Sequence, residues 1–212
     1  AQRCDYLGKG GPSGAKTVVA GGKVYFAGYP NTTLYVFDPA KPWSNPNVGR
    51  FPDPALNPAH IGSQGQGRSE AHHAMVMDAA GDRVYTLGLR ERWSTGSGLS
   101  CYNIASNGFI ALGQANKDLG PYHLMTMPAL ARVLVSGARK DAKLLVYDLD
   151  LKEVDQIELK PGLDNTGYML AVSDTRFLGW IGDRAATNTT LYLYDLPAKK
   201  MLATATLEGL AV

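Results

Sequence analysis

Four residues able to ionise or carry a proton occupy one position of a repeated pattern. Lys16, His73, His123 and Tyr168 each lie four residues before the last apolar residue of a short apolar segment, namely Ala20, Met77, Met127 and Val172. One residue further back stand Ala15, His72, Tyr122 and Gly167, so three of the four histidines gather at one level. A second set is cationic. Arg90 and Arg139 follow the segments that open at Val84 and Val133, Arg184 follows the one at Phe177, and the first copy has Pro30 there. Arginine holds a carboxylate through paired N–H···O bonds and keeps its charge. Histidine titrates near neutrality, and neighbouring cations lower a tyrosine toward it. The chemistry these parts suit is recognition of a carboxylate with proton transfer beside it. The concrete case is β-elimination on a uronic acid: a cation neutralises the carboxylate, the adjacent C5 proton becomes acidic, and His or Tyr removes it. The same histidines also fit a structural role, bonding to the backbone of a neighbouring repeat.

The elements that must position these residues repeat along the whole chain. Leu34-Tyr-Val-Phe-Asp38, Leu99-Ser-Cys-Tyr-Asn103, Leu144-Leu-Val-Tyr-Asp148 and Leu191-Tyr-Leu-Tyr-Asp195 read as strands that end in an Asx turn. Their aromatics, Phe37, Tyr102, Tyr147 and Tyr194, follow one another at roughly 45 residues after a longer first step, which is the period of a propeller blade. Upstream of each lies a second strand (from Val24, Val84, Val133 and Phe177) and then a short apolar one: Thr17 to Ala20, Ala71 to Met77, Tyr122 to Met127, and Tyr168 to Val172. Outer strands are clearest at Lys152 to Leu159 and Lys199 to Leu207, and no segment carries a helical period.

The expected fold is therefore all-β, a β-propeller of four four-stranded blades at about 15–50, 71–115, 121–160 and 167–208. Glu208 to Val212 reads as the opening of another inner strand and Ala1 to Gly14 as a lead-in. The expectation is thus a single domain or fragment belonging to a seven- or eight-bladed ring. Lys41 to Glu70, with five prolines, reads as a long loop, either a lid or rim of the site or an excursion packed by Trp43 and Phe51.

Composition narrows the partners. A net charge of +2 with no basic run gives no footprint for nucleic acid or an anionic membrane, and 45% hydrophobic with 19% charged residues describes a folded globular chain. Cys4 and Cys101 are too few for a zinc site or disulfide framework. Cys101, among Leu99, Tyr102 and Ile104, reads as core, and a single disulfide is the alternative. His72 and His73 point to opposite faces of a strand, and no carboxylate or cysteine joins His73 and His123 in register, so neither a metal nor a cofactor is expected. Asn31-Thr-Thr33 and Asn188-Thr-Thr190 match the glycosylation pattern, but hairpin geometry alone accounts for their asparagines.

The blades, the His72-His73 pair on one inner strand, Tyr122 on the next, Arg139 beyond it and the long loop carrying His60 resemble the propeller polysaccharide lyases, the ulvan lyases and rhamnosyl-glucuronate lyases. The likeness spans His60 to Arg139, about half the chain, and is one of residue types. It implies His73 and Tyr122 as the proton-transfer pair, and Arg139 and His60 as carboxylate binders. His72, Arg90, His123 and Tyr168 complete the expected substrate contacts. Trp93, in the hairpin after Arg90, is better placed than Trp43 or Trp180 to stack on a sugar ring. The expected partner is an acidic polysaccharide or oligosaccharide, besides further blades from additional chain or a second copy, and the expected location is extracellular or periplasmic. The alternative is a non-catalytic propeller that binds a protein or glycan through its rim loops.

Overall fold

A computed structural model describes residues 17–28, 33–45, 53–63, 74–88, 98–112, 121–137, 142–160, 166–182 and 188–209. It contains sixteen strands and one 3-10 turn, Pro128–Leu130, among those residues. The strands form four antiparallel sheets of four, each in sequence order. Blade one is β1 (Thr17–Ala20), β2 (Lys23–Gly28), β3 (Thr33–Phe37) and β4 (Ala59–Gly62); blade two is β5 (Ala74–Ala80), β6 (Arg83–Gly88), β7 (Leu99–Asn103) and β8 (Gly108–Leu112). Blade three is β9 (Pro121–Met127), β10 (Arg132–Gly137), β11 (Ala142–Tyr147) and β12 (Glu153–Lys160); blade four is β13 (Thr166–Ala171), β14 (Arg176–Gly182), β15 (Thr189–Asp195) and β16 (Lys200–Leu207).

The chain divides into two compact units, Ala1–Lys117 and Asp118–Val212. In the first, β1 lies beside β5, and one face of blade one packs on the opposite face of blade two. Tyr25, Ala27 and Leu34 meet Val84 and Tyr102, with the Tyr25 and Tyr102 rings 5.9 Å apart. Cys101 is buried on β7. In the second unit β13 lies beside β9, and Met125, Leu134, Leu144, Val146 and Ile157 of blade three pack against Met169, Phe177, Tyr192 and Tyr194 of blade four. Alternation along each strand commits one set of its side chains to the partner blade of the same unit.

Two expectations change. The stretch from Lys41 to Glu70 is not loop throughout, because it contributes β4, the outermost strand of blade one; that blade extends to Gly62 rather than ending near residue 50. Asn57 organises the approach to it. Its Nδ2 donates to the carbonyls of Asp38, Lys41 and Pro42 at 3.0, 3.0 and 3.1 Å, and its Oδ1 accepts from the Asp38 N–H at 2.9 Å. Trp43 packs on Phe37 with ring centroids 5.6 Å apart, while Phe51 lies outside the described residues.

The second correction concerns register. The inner strand of blade two runs on through Asp78 to Ala80, and its hairpin turns at Gly81, whose φ of +60° favours glycine. Ala80 pairs with Arg83 as Ala20 pairs with Lys23 and Met127 with Arg132. The counterpart of Met127 is therefore Ala80 rather than Met77, and Val76 rather than His73 stands at the level of His123 and Tyr168.

Candidate functional site

Among the residues singled out in the sequence, His123 and Tyr168 are brought into contact. His123 is the third residue of β9 and pairs with Ser136 of β10; Tyr168 is the third residue of β13. Their rings meet edge to face with centroids 5.0 Å apart, and Tyr168 in turn packs on Trp180 of β14 at 5.2 Å. The result is a three-ring ladder, imidazole, phenol and indole, crossing from blade three to blade four. Tyr168 is its solvent face, 41% exposed, while His123 and Trp180 are half-buried.

The main chain beneath the ladder is fixed by two bonds between the blades. The Met169 N–H donates to His123 Nδ1 at 3.3 Å, and the buried Ser136 hydroxyl donates to the Gly167 carbonyl at 3.0 Å. Because His123 accepts at Nδ1, the neutral ring carries its proton on Nε2. Gly167 is required by crowding: a Cβ there would strike Nε1 and Cδ1 of Trp180. That Nε1 is buried and has no hydrogen-bond partner.

Both inner-strand tyrosines occupy irregular stretches. The β9–β10 register shifts so that Tyr122 falls between the Pro121–Gly137 and His123–Ser136 pairs. The β13–β14 register shifts across Gly167 and Tyr168. An extra residue opposite one partner re-aims side chains and locally strengthens twist, a device common near binding sites.

The other expected site residues divide into two groups. His60 is on β4, the outermost strand of blade one, where it pairs with Tyr35 and packs edge-on to that ring at 5.7 Å. Three strand spacings, about 14 Å, separate β4 from β1. Burial holds the His60 imidazole below its ordinary pKa, so it is neutral at neutral pH. Tyr122 lies on β9, but its side chain, together with His72, His73, Arg90, Trp93 and Arg139, falls outside the described residues, as do Lys16 and Arg184.

An open cleft of about 300 Å³ lies at the other end of β9 and β13, between Thr126–Ala129 and Ala171–Asp174. Asp174 is the one ionisable group in its lining, so it assembles no acid–base pair, and the His123 end carries the more reactive chemistry. No group of three or more His, Cys, Asp or Glu among the described residues is arranged to hold a metal ion, and no described helix is long and apolar enough to cross a membrane.

Sequence reasoning ranked Trp180 below Trp93 and passed over Ser136. The hairpin registers reveal them: Ser136 stands four residues after Arg132, as Trp180 does after Arg176, so they are counterparts beneath His123 and Tyr168. The small residue in blade three leaves its hydroxyl to tie Gly167, and the large one in blade four supports Tyr168.

No family model matches the sequence, and no curated protein sequence matches it. Solved structures do. Hydrazine synthase of Kuenenia stuttgartiensis superposes with a TM-score of 0.62 at 11% identity, over 98% of this chain and 53% of that one. A structure from a study of two prolyl endopeptidases gives 0.60 at 10% identity, over 91% of this chain and 26% of that one. The WD40 domain of Toxoplasma gondii coronin gives 0.57 at 9% identity, over 90% and 45%. This chain thus spans about half or less of each. Identities this low speak to fold alone, and with the four meandering sheets they establish the fold as a β-propeller.

Proposed function

We propose that this propeller binds a uronate-bearing saccharide on the exposed face of Tyr168. The observation that carries the reading is the His123–Tyr168–Trp180 ladder, in which the exposed Tyr168 ring is backed by the Trp180 indole and flanked by the His123 imidazole. A flat apolar ring suits the C–H face of a pyranose, and the phenol and imidazole supply hydrogen bonds to hydroxyl or carboxylate oxygens. The arginines expected to neutralise the carboxylate are Arg139 and Arg90, with Arg184 as a third candidate.

The reaction this site suits is β-elimination, favoured by the edge contact between a group that can accept a proton and one that can donate it. Because His123 Nδ1 is engaged by the Met169 N–H, its Nε2–H is the donor: Tyr168 acting as phenolate removes the C5 proton, the C4–O bond breaks, and the leaving oxygen takes the proton from His123 Nε2. The structural likenesses above are to proteins of other kinds, so this assignment rests on the residues.

Calorimetric titration with an oligouronate tests binding. Tyr168→Ala is expected to weaken it about tenfold, the loss of one stacking contact. Appearance of the ultraviolet absorbance of an unsaturated uronate tests elimination, and His123→Gln should abolish that signal while leaving binding measurable. Failure of the wild-type protein to bind oligouronates, or equal binding by Tyr168→Ala, overturns the assignment.

A further inference from the structure

Two side chains of blade three hold the main chain on either side of Tyr168. The Ser136 hydroxyl donates to the Gly167 carbonyl, and His123 Nδ1 accepts from the Met169 N–H. The residue between them is set by these bonds rather than by regular pairing with β14, whose register with β13 skips Gly167 and Tyr168. The two bonds differ in one respect. A hydroxyl donates at any working pH, whereas Nδ1 accepts only while its lone pair is free. Imidazole changes charge between about pH 5 and 8. A proton taken from solvent onto Nδ1 turns the acceptor into a donor and sets two N–H groups against each other. The charged ring therefore cannot keep the Met169 bond, whatever else it touches.

The charged side chains of the surrounding strands stand far from this ring. β9 and β13 carry none besides His123 itself, β10 carries Arg132, and β14 carries Arg176, which is paired with Asp195. Both arginines lie at the hairpin end, four residues from Ser136 and Trp180, about 13 Å along the strand. The titratable group in contact with the imidazole is the Tyr168 phenol. Arg139, Lys140, Asp141 and Asp164, on the adjoining segments, lie outside the described residues. An imidazolium is attracted to a neighbouring aromatic ring, but that attraction acts between side chains and does not give the Met169 amide back its acceptor.

We infer that protonation of His123 is a switch on the Tyr168 site: the charged ring releases the Met169 amide, the strand carrying Tyr168 loosens, and ligand binding on its ring weakens as the medium turns acidic. The ligand is the oligouronate proposed above, so this consequence rests on that reading; the bond that breaks does not. The sign separates the switch from a plain contact. Were His123 only a partner of the uronate carboxylate, its positive charge would tighten binding at low pH, because a carboxylate stays ionised down to about pH 4. Release of Met169 weakens it.

Two measurements on the intact protein test this. With methionine labelled by nitrogen-15, the six methionine amides are followed by nuclear magnetic resonance between about pH 8 and 5 without ligand. The Met169 resonance is expected to titrate in wild type and to stay fixed in His123→Asn, whose side-chain oxygen accepts in place of Nδ1 and takes up no proton. Met201, on β16, is the internal reference. In calorimetric titration with an oligouronate, wild-type affinity is expected to drop about tenfold from the alkaline to the acid end of that range, the loss assigned above to the Tyr168 ring, while His123→Asn binds alike at both ends. A Met169 resonance that stays fixed in wild type, or that moves as far in His123→Asn, overturns the switch. So does wild-type binding that is unchanged or tighter in acid. The wild-type titration stands without the variant, so misfolding of His123→Asn leaves it decisive. A wild type that binds no oligouronate at the alkaline end overturns the saccharide reading instead, and the Met169 resonance then decides the switch by itself.

Discussion

Removing the hydroxyl of Tyr192 should make the protein more stable. Tyr192 is 1% exposed in the core between blades three and four, its ring T-shaped against Phe177 at 6.0 Å, and its Oη has no hydrogen-bond partner. Burial pushes the phenol well above its ordinary pKa, so the group is neutral at every working pH and contributes no charge interaction. The ring fills the space over Gly179, where a Cβ would strike Cζ and Oη. A buried polar group left unpaired costs about 1–3 kcal/mol, whereas the void left by one oxygen costs less than a lost methylene. Tyr192→Phe is therefore expected to stabilise by about 1–2 kcal/mol. At about 2–4 °C per kcal/mol for a domain of this size, the melting temperature rises by about 2–8 °C. Urea unfolding should show a higher midpoint with an unchanged slope. Tyr102→Phe is the control of opposite sign, because the Tyr102 hydroxyl donates to Asn107 Oδ1 at 2.9 Å and its loss should cost about 1 kcal/mol. If Tyr192→Phe is neutral or destabilising, the hydroxyl has a partner and the reasoning fails.

Two further outcomes follow from side chains described above. Asn57→Ala removes the side-chain hydrogen bonds that gather Asp38, Lys41 and Pro42 ahead of β4 and should destabilise by about 2–3 kcal/mol, seen as a lower urea midpoint. His60 has a folded-state pKa held below 6.5 by burial, so the unfolded chain binds its proton more readily. Its contribution is thus complete above pH 6.5 and is lost as the pH falls below that value. A melting-temperature profile against pH should fall less steeply on the acid side for His60→Gln than for wild type.

The hairpins within each blade were legible because strand, turn and strand follow one another within about twenty residues. The turn residues also carry their own signals, as Gly21, Gly22 and Gly81 do with φ values of +54°, +73° and +60°. Blade two was misaligned for a local reason. Asp78 resembles a turn residue, but it pairs with Tyr85 inside the strand, and the three residues it hid moved Val76 into the level assigned to His73. β4 was illegible because Ala-His-Ile-Gly is too short to show alternation, and because the bonds that deliver it run from Asn57 back to Asp38, across nineteen residues. The meeting of His123 with Tyr168 was legible as a shared position in the repeat. Its support was not: Ser136 and Trp180 occupy equivalent positions but are alike in neither size nor polarity.

Those register shifts bear on why the reactive side chains collect at one end of the inner strands. Blades two, three and four each lose regular pairing between their first two strands near the start of the inner strand: at Ala74/Val76, at Ser136/Gly137 and at Thr166/Met169. Toward the hairpin turn the pairs run without interruption, and one set of side chains there, such as Met125 and Met127 of blade three, is buried in the core of its unit, where a change in size is felt directly. At the irregular end the main chain is held instead by two side chains, the Ser136 hydroxyl on the Gly167 carbonyl and His123 Nδ1 on the Met169 N–H. Tyr122, His123, Gly167 and Tyr168 all fall there. An unlike set of residues on a repeated frame is what a site requires, because the frame fixes distances while the irregular level supplies the chemistry.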